Sequence, residues 1–227
     1  MFAVLFLAAA ATVNPLELVK AAVDLSLKTD HLREGFSMTQ ETIQRSSGKE
    51  KRKTYEMKFV EGKPYRKLIR QDGKPVEGED FESYKSSEPR RLEMLKELPN
   101  ALVFSYVGEE RVGEHDCWVL HAKPKPGYKA RSMRMTFLTQ MEAKVWISKE
   151  HNRMLRLDAV TIGPVSFGGF IAKVLPGTRI YLEQVKVGDN VWLPNRFKMN
   201  YSGKILFKSF GGEVEQLSSN FRPTNSP

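Results

Sequence analysis

From Gly35 onward the apolar residues of this chain recur at every second position, and that period limits the fold more than any other feature. Tyr55, Met57 and Phe59 alternate with Thr54, Glu56 and Lys58. Leu155, Leu157 and Ala159 alternate with Arg156 and Asp158, and Phe197, Met199 and Tyr201 with Lys198, Asn200 and Ser202. Successive side chains of a strand point to opposite faces, so this pattern predicts strands with one dry face and one wet face. Turn signals separate the runs at Gly62-Lys63-Pro64, Asp72-Gly73, Gly113, Gly188-Asp189-Asn190, Gly203 and Gly211-Gly212. About ten short strands joined mainly by hairpins are expected, as a meander, a barrel or a half-barrel. No βαβ alternation is visible, which disfavours a doubly wound nucleotide fold, and no internal repeat or long linker divides the chain. One domain over residues 12–227 is the expectation.

Helices are predicted at three places. Asn14-Pro15-Leu16-Glu17 is a helix start: Asn14 can cap, Pro15 suits the first helical position, and Glu17 can reach back to the cap. Leu16, Val19, Val23 and Leu27 then form one apolar stripe that ends near Leu32. Ser87 can cap a second helix carrying Leu92 and Leu95, which Pro99 must end. Met133, Phe137 and Met141 give a third, weaker stripe.

Ahead of the first helix, Phe2 to Ala11 reads FAVLFLAAAA, an uncharged apolar stretch ending in small residues. It has the form of a signal-peptide core running into an A-x-A cleavage site, without the usual basic n-region. No run of about 18 apolar residues follows that could cross a bilayer as a helix. No cysteine follows the stretch, so a lipobox is absent. Residues 1–11 are expected to be a signal peptide and the product to be soluble in the periplasm.

Chemistry-bearing motifs are scarce. Cys117 is the single cysteine of the chain, which excludes an intramolecular disulfide framework and a Cys-rich zinc module. G-x-G-x-x-G, P-loop and G-x-S-x-G patterns are absent, and Gly168-Gly169 lies in an apolar stretch without a strand-loop-helix setting. The best metal or nucleophile candidate is His115-Asp116-Cys117-Trp118-Val119-Leu120-His121, where His115, Cys117 and His121 share one face of a strand. The two histidines would stand about 20 Å apart at strand rise, too far to ligate one ion. Cys117 is expected to be an inert buried thiol. Glu56, Glu61, Glu109, Glu110 and Glu150 fall at solvent-facing strand positions or in turns, where a solvated face explains them without general acid–base catalysis. No catalytic constellation emerges, and no enzyme activity, cofactor or metal is expected.

The 36 Lys+Arg exceed the 27 Asp+Glu and leave a formal charge of +9. Lys49, Lys51, Arg52 and Lys53 cluster near one turn, with Arg66, Lys67 and Arg70 close behind. A basic sheet with aromatics can bind single-stranded nucleic acid, but these charges are interleaved with Glu and Asp, and export removes most nucleic acid. Attraction to anionic lipid headgroups suits an exported protein better. Nine Met and 13 Phe, among them Met38, Met57, Met135, Met154, Met199, Phe104, Phe197 and Phe207, recur on the predicted strands. Soft residues of this kind make adaptable walls for flexible apolar ligands, and they also fill ordinary cores.

Three segments carry a resemblance to a known family. Val145-Trp146-Ile147-Ser148-Lys149-Glu150-His151-Asn152-Arg153-Met154-Leu155-Arg156-Leu157 is similar to a hairpin in which a Trp-Ile strand turns into one ending in apolar and basic residues. Cys117-Trp118-Val119-Leu120, followed by Lys123-Pro124-Lys125-Pro126-Gly127-Tyr128, looks like an earlier strand with a Pro-rich exit. Val191-Trp192-Leu193-Pro194, running into Phe197 to Tyr201, looks like a "WLP" strand. Together with the export segment, the N-terminal helix and an inserted helical lid, these resemble the LolA/LolB-like superfamily of periplasmic outer-membrane lipoprotein-sorting proteins. The resemblance implies an incomplete barrel whose apolar concave face holds acyl chains, serving outer-membrane biogenesis in a Gram-negative bacterium. It also implies sensor domains and at least one enzyme among relatives, so the fold does not fix the activity.

The resulting expectation is a mainly β (α+β) chain: one curved antiparallel sheet forming an incomplete β-barrel, with an N-terminal helix and helical lid insertions. Its function would be non-catalytic binding or transport of lipid or lipoprotein acyl chains, as a monomer without nucleic acid. Tyr55, Met57, Phe59, Phe197, Met199 and Tyr201 would line the cavity, with Leu92 and Leu95 covering it from the lid. Phe167, Phe170 and Ile171 are candidates for membrane contact, with Lys173 and Arg179 near headgroups. The alternatives are a structural or sensor module that binds an envelope partner protein through the sheet or lid and, behind it, an enzyme on the same scaffold.

Overall fold

A computed structural model describes residues 13–60, 63–78, 80–83, 88–167, 172–206 and 208–224. The predicted signal peptide, Ser87, Phe170, Ile171 and Phe207 lie outside these residues. The first element is helix α1 (Pro15–Lys28). The Asn14 carboxamide oxygen accepts from the backbone N–H groups of Leu16 at 3.2 Å and Glu17 at 3.4 Å, which satisfies orphan donors of the first turn. Glu17 does not complete the cap and instead takes Lys20 at 2.9 Å. Val19, Ala22 and Val23 are the buried face, while Leu16 stays exposed. A 3₁₀ segment (Asp30–Gly35) carries the chain past Leu32 into the sheet.

Strands β1 (Phe36–Ser46), β2 (Lys49–Val60), β3 (Lys63–Gln71), β4 (Lys74–Pro75) and β5 (Glu82–Ser83) come next. Helix α2 (Glu88–Ala101) leads to β6 (Leu102–Val112) and β7 (His115–Pro124). A second 3₁₀ segment (Met133–Gln140) precedes β8 (Met141–Ser148) and β9 (Met154–Thr161). The chain ends with β10 (Val165–Phe167), β11 (Ala172–Val174), β12 (Arg179–Gly188), β13 (Val191–Ile205) and β14 (Lys208–Pro223). All belong to one curved, unclosed antiparallel sheet with main order β4-β3-β2-β1-β14-β13-β12-β9-β8-β7-β6. Most neighbours are hairpin partners. The long-range seams are β1 with β14, from Phe36↔Pro223 to Arg45↔Glu213, and β9 with β12.

The strands differ from the sequence expectation in two respects, and helix α2 in one. The sheet has 14 strands rather than about ten, and two of them run 15 and 16 residues because Gly203 and Gly211-Gly212 are strand interior, not turns. A Cβ on Gly203 would stand 2.7 Å from the Lys173 carbonyl oxygen and 2.4 Å from the Phe210 ring. Glycine there permits the close approach of β11 and of an aromatic ring. Pro99 does not end α2, which continues to Ala101. A proline removes one N–H bond near the end of a helix. The last turn is retained by the fully buried Ala101, whose carbonyl accepts from Lys125 N–H at 2.9 Å.

The third predicted helix is also revised. Met133 is exposed, Met135 and Leu138 are buried at 3₁₀ spacing, and Met141 already begins β8. The main core lies between α1, α2, the second 3₁₀ segment and the strands β6 to β9, around Val23, Leu120, Leu138, Val145 and Ile147. On the opposite face of β9, β12, β13, β14, β1 and β2 runs a ladder of ion pairs. Arg179 meets Asp158, Arg156 meets Glu183, Arg196 meets Glu215, and Lys198 and Arg45 share Glu213. Much of the basic surplus on these strands is thereby spoken for by neighbouring carboxylates. No described helix is long and apolar enough to cross a membrane.

Candidate functional site

Three alanines align across neighbouring strands beneath the site, and two of them, Ala122 and Ala143, form its floor. Ala122 on β7 pairs with Ala143 on β8, and Ala143 with Ala159 on β9. Opposite residues of an antiparallel pair share a face, so three methyl groups stand where larger side chains would fill the concave side. α1 and α2 close over this floor but do not fill it. A cavity of about 190 Å³ remains. Val19 and Ala22 of α1 and Met94, Leu95 and Leu98 of α2 form its roof. Its walls are Leu102, Phe104, Ala122, Met141, Ala143, Val145, Ile147, Met154, Leu157, Leu182, Trp192 and Pro194. An engineered apolar cavity of about 150 Å³ stays dry and takes up benzene, so this volume suits an apolar guest.

One end of the cavity is polar. Ser26, Thr29, Asp30, Arg33, Arg91, Arg153 and Gln184 line it. Ser26 donates to the Ala22 carbonyl at 2.7 Å and Gln184 donates to the Met154 carbonyl at 2.9 Å. Asp30 receives Arg33 at 3.4 Å and also Arg91, which ties α2 to the 3₁₀ segment after α1. The roof is anchored at its other end by Tyr128, whose hydroxyl donates to the buried Glu97 carboxylate at 3.1 Å. Burial and that carboxylate together push the Tyr128 phenol above its ordinary value.

Of the residues expected from sequence to form the wall, Leu95 lines the cavity. Leu92, on the same helix, does not. Tyr55, Met57 and Phe59 pack with Met38, Val191 and Leu193 in a separate cluster. Phe197 and Met199 pair with Leu182 and Ile180 and so share the concave face, farther along β13 than the wall residues Trp192 and Pro194. Tyr201 lies farther along β13, its ring 6.2 Å from that of Phe210. Phe167 pairs by its backbone with Ala172; Phe170 and Ile171 fall outside the described residues.

The residues that sequence reasoning missed are the strand positions of β6 to β9 and the cation Arg153. Their visible signal was the unbroken run Val145–Ser148, buried on both faces as in a covered strand.

The histidine and cysteine candidates separate. His121 faces Glu142 at 3.3 Å. Burial pushes the Cys117 thiol up to about 11, with its sulfur 3.6 Å from the His115 carbonyl oxygen. A thiol so placed is not a thiolate nucleophile at neutral pH. His115 meets His151 and Trp192 instead, with ring centroids 5.2 Å away from each. His115, His151 and Glu150 bring one ligand atom each within 4.8 Å of one another, a set that could take a divalent metal among the described residues. Glu150 is largely exposed and already 3.6 Å from His151, so the group also stands as edge-on ring packing at the sheet's end.

No family profile matches the sequence, and no curated protein matches it. Solved structures are similar along most of the chain. They include a domain assigned as an outer membrane lipoprotein-sorting protein from Vibrio parahaemolyticus, at 13% identity and a TM-score of 0.42, covering 92% of this chain and 94% of that one. A LolA superfamily protein from Nitrosomonas europaea matches at 11% identity and 0.37, covering 95% and 96%. The Mycobacterium tuberculosis lipoprotein LppX matches at 11% identity and 0.36, covering 92% and 97%.

Proposed function

We propose that this chain is a non-catalytic carrier that holds an acyl chain of a lipid or lipoprotein between its two helices and the concave sheet. The observation that carries this reading is the cavity itself: about 190 Å³ over an alanine floor, apolar along its length and polar at one end. A cavity of this build matches the shape of an amphiphile. Scaled from benzene in about 150 Å³, the cavity takes about seven methylenes, whose burial would contribute about 6 kcal/mol, more than the lower estimates of about 4 kcal/mol for the association cost. The volume takes part of one chain, so enclosing a full long chain or a second one would require α2 to lift. The work would be done in the periplasm, on residues 12–227 as one folded unit after removal of the export segment, with transient contact to a membrane or envelope partner at loading and release.

Native mass spectrometry of protein purified from a periplasmic extract, followed by organic extraction, tests the reading. A bound mass that extracts as a fatty acid or phospholipid is expected. A clean apo mass that does not change after incubation with acyl ligands would refute it.

A further inference from the structure

Arg153 is the one buried cation of the cavity whose described partners are all uncharged. It stands at the end of the turn between β8 and β9, is 7% exposed, and lines the polar end. Both of its hydrogen bonds leave from one nitrogen. Nη2 donates to the Thr29 hydroxyl and, at 3.1 Å, to the Asn190 carbonyl oxygen. The Thr29 hydroxyl gives its own proton to the Leu25 carbonyl at 2.9 Å, so it acts only as an acceptor toward Arg153. Among the described residues Nε and Nη1 have no acceptor, yet neither is a sealed-off atom. Arg153 lines the polar end, so these donors are available to a guest there.

Charge around the guanidinium is unbalanced. Among the described residues Asp30 is the only carboxylate in the lining, and it is taken by Arg33 and Arg91. Burial lowers the Arg153 pKa, and no acidic group holds it up; a guanidinium nevertheless stays protonated in proteins. The carbonyl end of α1 at Thr29 supplies a partial negative charge, which compensates only in part. A buried charge without a counter-charge is costly, and the same guanidinium presents a planar fork suited to two oxygens of one anion. Met154, Leu157 and Leu182 continue the wall from Arg153 into the apolar part.

We propose that the ligand of this cavity is an acyl lipid with an anionic headgroup, a carboxylate or a phosphate, whose oxygens sit on the Nε and Nη1 donors of Arg153 while the tail runs over the alanine floor. This deepens the carrier reading and rests on it. The anion completes the hydrogen bonding of the guanidinium and neutralises it. A neutral amphiphile with the same tail does neither.

The test is a binding series on the whole mature chain at pH 8, by displacement of a fluorescent acyl probe. Palmitate and hexadecyl phosphate should bind about ten-fold or more tighter than hexadecanol, the range expected for hydrogen bonds to a charged group. In Arg153→Gln the gap should close, and in Thr29→Val, which keeps the cation and removes one of its anchors, it should persist. Acetate and inorganic phosphate at the same concentrations should not displace the probe; displacement equal to that by hexadecyl phosphate would make the headgroup alone the ligand and overturn the lipid assignment. If hexadecanol binds the wild type as tightly as palmitate, the anion is not recognised and the proposal fails while the carrier reading stands. If none of the three long-chain compounds binds, the carrier reading itself fails. A gap that survives in Arg153→Gln would move the selection to another cation. Should Arg153→Gln not fold, Arg153→Lys replaces it, with a reduced gap expected from loss of the planar fork, and the wild-type comparison decides by itself.

Discussion

Ala143 and Ala159 are paired neighbours on one face of the sheet, yet leucine at the two positions should have opposite effects. Ala143 borders the cavity, whereas Ala159 is 1% exposed and does not. Leucine at 143 adds three carbons that can enter apolar space already present. At about 0.8 kcal/mol per methylene taken from water, Ala143→Leu should stabilise the apo protein by about 2 kcal/mol. For a chain of this size that is a rise of about 4–8 °C in Tm. The same carbons at 159 meet close-packed atoms, and overpacking of this kind costs about 1–3 kcal/mol. Thermal melts of the two variants in delipidated protein measure the signs. Displacement of a fluorescent fatty acid then measures function: Ala143→Leu should weaken acyl binding because it occupies the guest's volume while the fold gains stability. Loss of stability in Ala143→Leu comparable with that in Ala159→Leu would show that no usable space lies above the alanine row.

Three further outcomes follow from the geometry. Cys117, fully buried with its thiol pushed up to about 11, should resist iodoacetamide at pH 8 in the native protein and react fully in denaturant; mass spectrometry reads the label, and rapid native labelling would contradict the burial. The Glu183 carboxyl is pushed up by burial, but hydrogen bonds from Tyr181 and Arg156 outweigh this and hold it below its ordinary 4.5. Its contribution to stability is therefore complete above about pH 4.5 and is lost as the pH falls through the lowered folded value. Urea melts across that range should show a shallower acid slope in Glu183→Gln, and an unchanged slope would remove the group from the acid response. Tyr128→Phe removes the donor from the buried Glu97 and should cost about 1–3 kcal/mol; because the bond anchors α2, release of a bound fluorescent acyl chain in stopped flow should also be faster, and an unaltered rate would separate the anchor from lid movement.

The parts of the fold that local chemistry dictates were legible in the residues. Asn14 and Pro15 announce α1, and the two-residue period announces the sheet. Asp72-Gly73 adopts the positive φ angles of 49° and 81° expected of a tight hairpin turn. Glycines were a less faithful guide where their role is steric. Gly203 marks close approach of another strand inside β13, and nothing in its neighbours distinguishes that use from a turn. Pro99 likewise was a misleading stop, because the packing of Ala101 holds the last helical turn after one hydrogen bond has been lost.

The cavity was less legible because it arises from alignment between strands rather than from any one of them. Ala122 and Ala143 become a floor only through register, and the large soft residues that draw attention in the sequence, Met57 and Phe59, pack into another cluster. Arg153 and Met154 show the same effect at a single residue. A regular β9 would put Met154 on the face of Arg156, which meets Glu183 in the outer ladder. The register instead passes from Trp146↔Arg156 to Ile147↔Met154, so Leu155 is an extra residue and the parity changes at that point. Leu155 joins Cys117, Val119, Trp146 and Trp192, and Met154 turns to the cavity wall. Arg153, immediately before it, is drawn inward to Thr29 and Asn190 rather than left in a solvated turn. Two arginines three positions apart thus reach different environments: Arg156 pairs with a carboxylate on the outer face, and Arg153 is enclosed at the polar end of an apolar cavity.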